Sequence, residues 1–134
     1  MFKIVVVAAF LLIANSALAR DRPIQSCEKA PLLAEIQKRV PDHVIGESAD
    51  VKPAPVGTLP TFPRGIWMRS GSSLTCVVVA LDAAGTPQDA VVSYPSRFAL
   101  TEQEKQMVLS VQWTPAQVGG QARPSLVSMD FRTR

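Results

Sequence analysis

The sequence predicts an α+β fold: a small antiparallel sheet in strand-strand-helix-strand order, preceded by an N-terminal helix and a proline-containing connector. Three observations carry that prediction. Residues 74–81 form an unbroken run rich in β-branched side chains, followed by a turn and an answering strand. Residues 101–104 open a helix with a capping box. Residues 125–131 alternate apolar and polar side chains at the end of the chain.

Composition bounds the rest. A chain of 134 residues, 47% hydrophobic, is one domain's worth of sequence. A charged fraction of 19% lies below the ordinary quarter and argues against general disorder. The net charge of +3 comes without a Lys/Arg block, so nucleic acid is not an expected partner. Eleven prolines exclude a long coiled coil and an all-helical chain.

The first segment reads as a targeting signal. Met1-Phe2-Lys3 carries one positive charge, residues 4–14 are apolar without a break, and Ala17-Leu18-Ala19 is a small-x-small triplet. That order is a secretory signal peptide over residues 1–19, cleaved after Ala19. The alternative is an uncleaved membrane anchor, for which eleven apolar residues are short: they span about 16 Å, about half a hydrocarbon core, and no membrane insertion is expected after cleavage. The expected location is periplasmic or secreted. In such an oxidising space the two cysteines, Cys27 and Cys76, commonly bridge. A bridge would close a loop of about 50 residues, worth about 4 kcal/mol in the chain-entropy model. Two free buried thiols are the alternative. The close Cys-x-x-Cys spacing of a redox pair is absent.

Residues 28–40 read as a short helix, with Leu32, Ile36 and Val40 every four residues, Pro31 in the first turn and Pro41 as the stop. Residues 41–63 hold five prolines, Gly46 and Gly57, with no apolar period, and read as an extended connector. Residues 20–59 therefore form one unit of organisation and residues 60–134 the domain proper. In that domain Asp82-Ala83-Ala84-Gly85 is the hairpin turn, Gly85 supplying positive φ, and residues 87–94 are the second strand. Thr101 and Glu104 cap a helix of about ten residues whose buried stripe is Met107, Val108 and Val111. Trp113-Thr114-Pro115-Ala116 breaks it, and Gly119-Gly120 makes a turn. In the last strand Val127, Met129 and Phe131 face the core, leaving a wet face of Ser128 and Asp130.

No constellation for catalysis is legible. His43, the one histidine, sits in the connector beside Asp42, too local a pair to count as a dyad. No His/Cys/Asp cluster has metal-ligand spacing, and Gly119-Gly120 lacks a phosphate-loop frame. Neither an enzyme nor a bound cofactor is expected.

Residues 60–131 resemble the C-terminal domain of TonB-type energy transducers. The matching residues are Pro60-Thr61-Phe62-Pro63, Asp82 and Gly85, Trp113-Thr114-Pro115-Ala116, Gly120 and Phe131. Phe62 stands where tyrosine is usual in the family. The resemblance implies a free-standing version of the domain, without the uncleaved membrane helix and long Pro-rich spacer. It also implies a protein-binding mode: an extended segment of an outer-membrane transporter adding to the last strand, here Ser125, Leu126, Val127, Ser128, Met129, Asp130 and Phe131. On that strand the outward Leu126, Ser128 and Asp130 would tune specificity. A homodimer by strand exchange is the other association that such an edge allows. The second expectation for function is a secreted structural or inhibitory module, contacting its target through the hairpin tip at Ala83 and Ala84 or through the connector.

Overall fold

The computed structural model describes residues 24–27, 32–59, 69–95 and 97–132. The expected signal peptide at residues 1–19, the expected helix start at residues 28–31 and the Pro60-Thr61-Phe62-Pro63 element lie outside these residues. The elements run α1 (Leu32–Arg39), β1 (Val44–Ile45), a 3-10 turn (Gly46–Ser48), β2 (Leu74–Leu81), β3 (Pro87–Tyr94), α2 (Glu102–Leu109), β4 (Ala116–Val118), β5 (Gln121–Arg123) and β6 (Ser125–Arg132). The fold is α+β.

A four-stranded sheet in the order β1-β6-β2-β3 forms the body. Its three long strands are antiparallel, as the sequence predicts. The fourth makes the sheet mixed: Val44 and Ile45 pair in parallel with Ser125 and Leu126. This adds a sheet strand to residues 41–63, which the sequence predicts only as an extended connector. Two residues are too short to show a period, and their pairing rests on backbone groups that carry no side-chain signature.

Beyond β1 the connector stays bound to the domain. Val51 bridges Gln117 and Pro55 bridges Trp113. The Ala54 amide donates to Thr114 Oγ1 at 3.0 Å, and the Gly119 amide donates to Asp50 Oδ2 at 2.8 Å. Gly46 is buried where an added Cβ would stand 3.0 Å from the Leu126 carbonyl oxygen and from a Val127 methyl. A side chain at this position would press on β6, and glycine avoids that contact.

β2 is buried on both faces, which explains its unbroken apolar run. Val77, Val79 and Leu81 join Val127, Met129, Phe131, Val108, Val111 and Trp113 in the main core beneath α2. The other face carries Cys76, Val78 and Ala80. There Cys27 and Cys76 form a disulfide, Cα atoms 5.4 Å apart, within a second cluster with Leu74 and Tyr94. The paired-cysteine expectation holds, and the free-thiol alternative falls.

The hairpin turn is built as its residues predict. Asp82 Oδ1 accepts from the amides of Ala84 and Thr86, both at 2.9 Å, and Gly85 has φ +85°. The Trp113 amide donates back to the Gly85 carbonyl at 3.3 Å, tying the turn to the core. The α2 capping box is present in both directions: Glu104 N to Thr101 Oγ1 and Thr101 N to Glu104 Oε1. A second hairpin lies beyond what the sequence predicts. β4 and β5 pair across Gly119-Gly120, whose φ values of +60° and +79° suit a two-residue primed turn.

Candidate functional site: the two edges of the sheet

The seven residues of the expected contact strand fall into three settings. Val127, Met129 and Phe131 point into the core. Ser125 is buried, and Leu126 is 2% exposed. Ser128 is half-buried, and Asp130 is exposed. The expected outward, partner-facing position of Leu126 is therefore corrected to a covered one. Leu126 shares its surroundings with Ile36 and Val40, the stripe of α1 and its C-terminal end. The helix covers that end of the strand face and leaves the other end to water.

The backbone edge of β6 is likewise divided. The Val44 amide donates to the Pro124 carbonyl at 2.9 Å, so Pro124 directs its oxygen away from β2. Strand alternation puts the backbone groups of Leu126, Ser128 and Asp130 on that same side. β1 occupies the stretch at Ser125 and Leu126. Among the described residues, the outward groups of Ser128 and Asp130 have no strand beside them. At the far end Arg132 Nε holds Asp130 Oδ2 at 3.0 Å, and Arg132 Nη2 reaches the Gln25 carbonyl at 2.8 Å. Between β1 and Arg132 lies a window of about five residues, about 17 Å of edge at strand rise.

The β3 edge is guarded. The Ala90 amide donates to the Asp89 carboxylate at 2.9 Å, and Lys105 on α2 pairs with that carboxylate at 2.8 Å. A charged pair folded over a strand edge is a standard obstacle to strand addition. The Lys105 ammonium holds the Asp89 carboxyl below its ordinary value, and the exchange raises Lys105 in turn.

A second ion pair fastens α2 from below. Glu104 is 3% exposed, and Arg69 grips it with both guanidinium nitrogens: Nη1 to Oε2 at 2.9 Å, and Nη2 to Oε1. The guanidinium also stands 5.2 Å from the Phe98 ring centre. The hydrogen bonds from Arg69 hold the Glu104 carboxyl low, against the opposing effect of burial. Sequence reading finds Glu104 only as a helix cap. Arg69 lies 35 residues upstream, a distance at which spacing carries no signal.

These two carboxylates make stability depend on pH at the acid end. Each binds its proton less tightly folded than unfolded, so each contributes stability above its unfolded value, about 4.5 for Glu104 and 3.8 for Asp89. That contribution is lost as pH falls through the lower folded values. The urea midpoint is expected to be flat from about pH 7 to pH 5 and to fall below about pH 4. In Glu104→Gln the fall should be shallower and the neutral-pH midpoint lower. An equally steep acid limb in that variant would assign the fall elsewhere.

The connector histidine sits in the turn that leads from α1 into β1, where its amide donates to the Val40 carbonyl at 3.0 Å. Its Nδ1 is enclosed without a hydrogen-bond partner. Among the described residues no three His, Cys, Asp or Glu side chains converge as a metal site would need. No described helix is long and apolar enough to cross a membrane. No family model, curated protein or solved structure matches the chain. The functional reading accordingly rests on the edges themselves.

Proposed function

We propose that this protein is an exported protein-binding module that takes an extended partner segment alongside β6, over the window from Val127 to Phe131. The observation that carries this reading is the asymmetry of the two sheet edges. β3 is closed by Asp89 and Lys105, whereas β6 presents Ser128 and Asp130 directly beyond a two-residue strand of the protein's own. An added peptide would continue where β1 stops, its main chain supplying affinity and its side chains meeting Ser128 and Asp130. The resemblance to TonB C-terminal domains supports the same strand and points to an outer-membrane transporter segment as partner. The disulfide supports an oxidising compartment such as the periplasm.

Ser128→Pro is the discriminating change. Proline removes an outward amide and is tolerated where that amide does not serve the sheet. The variant is expected to keep its fold by circular dichroism and to lose capture of the transporter from a Gram-negative envelope extract. Gln88→Pro, at the irregularity in β3, is expected to retain it. Equal capture by parent and Ser128→Pro would exclude the β6 edge. Recovery of a soluble hydrolase would favour an inhibitory module, and recovery of the protein alone would favour self-association.

A further inference from the structure

The two helices cover the sheet differently. α2 seats Val108 fully in the core. α1 buries none of its residues, and Leu32 on its apolar stripe is 38% exposed. Between α1 and the sheet lies a cavity of about 210 Å³. Its floor is Val78, Ala80 and Leu126, and Ile36 and Val40 line it from the helix side. The space is half-open to solvent with a mostly apolar lining, the kind of cleft in which small apolar ligands are bound.

Two charged residues line this space, Arg39 and Asp89. Asp89 is engaged by Lys105. Arg39 has no ion-pair partner among the described residues. The mouth therefore carries one positive charge in excess, on a side chain whose planar fork suits a carboxylate. The volume sets the size of the guest. A cavity of about 150 Å³ accepts benzene, so this one holds about eight heavy atoms.

We propose that the space under α1 is a binding site for a small amphipathic carboxylate, its hydrocarbon chain over Val78, Ala80 and Leu126 and its carboxylate on Arg39. A medium-chain alkanoate or an arylalkanoic acid has the required shape. The guest would replace the side chains that α1 does not supply and would clamp the helix onto the sheet. This site lies across the sheet from the main core and does not depend on partner binding at β6.

Sodium octanoate is the probe, titrated into the disulfide-bonded protein and followed by amide chemical shifts. Saturable shifts centred on Val78, Ala80 and Leu126 are expected in the millimolar range or tighter. Arg39→Gln should weaken binding about tenfold, the loss of one charge-assisted contact. Octanol, with the same chain and no charge, should bind more weakly by a similar factor. Ala80→Leu should fill the cavity and abolish the shifts. Val91→Phe provides a second filling variant at an exposed position that also lines the cavity, should Ala80→Leu perturb the fold. Absence of saturable shifts in the millimolar range overturns the proposal, as does undiminished binding in a folded filling variant. Equal affinity for octanol would remove Arg39 and the carboxylate from the site.

Discussion

Gly85→Ala is expected to be the most damaging single change in the domain. A methyl at this position would stand 2.1 Å from the Trp113 carbonyl oxygen and 2.9 Å from its carbonyl carbon. Both are backbone atoms, so no rotamer change relieves the clash. The residue also has φ +85°, a region that costs an alanine about 1–2 kcal/mol without any neighbour. The turn and the Trp113 segment must separate, breaking the bond from the Trp113 amide to the Gly85 carbonyl and loosening the core beside Trp113. A loss upward of about 4 kcal/mol is expected, enough to leave little folded protein. Gly57→Ala supplies the comparison. Gly57 has φ +77°, and an added Cβ there would meet nothing within 4 Å, so it isolates the conformational cost. Urea unfolding of both variants should separate them by several kcal/mol. Similar midpoints would mean that the turn can move away from Trp113 cheaply.

Loss of the Cys27–Cys76 bridge is expected to be the next largest effect. The bridge spans 49 residues, and the chain-entropy model assigns it about 4 kcal/mol. Its structural consequence is local. It joins the segment before α1 to the central strand, while β1 holds the segment after α1. α1, with no buried residue of its own, is retained between these two attachments. Replacing both cysteines by alanine should lower the urea midpoint and open residues 24–43 to protease before the rest of the domain. A lowered midpoint with unchanged cleavage would show that β1 alone keeps α1 in place.

The elements with strong local chemistry are legible in the sequence. Asp82 and Gly85 mark the turn because a carboxylate that accepts two amides and a residue of positive φ are both local requirements. Thr101 and Glu104 mark the start of α2 for the same reason. The core parity of β6 follows from Val127, Met129 and Phe131. β1 is not legible, because Val44 and Ile45 act through backbone groups and pair with Ser125 and Leu126 near the other end of the chain. The β4–β5 hairpin has one signal, the Gly119-Gly120 pair, but strands of three mixed residues show no alternation. The cover over Leu126 has an indirect signal in β2. Val77, Val78, Val79, Ala80 and Leu81 are apolar at both parities, and a strand of that kind needs a layer on each face. Leu126, lying opposite Ala80, belongs to that second layer. The open window of β6 depends on where β1 ends, so its limits are beyond sequence reading.

The place of β6 in the sheet has a consequence for the order of assembly. It lies between β1 and β2, yet it is the last of the described strands along the chain. As the chain emerges N-terminus first, β2 and β3 can close their hairpin early, through a short and local turn. The strap at Val44 and Ile45 has no partner until residues 125–126 emerge, and the edge of β2 that β6 will cover stays bare for as long. Such late, long-range closure is slow compared with hairpin formation. The apolar run of β2 is the segment most in need of protection in the interval, so delayed completion of β6 should show itself as aggregation rather than as a soluble half-folded form.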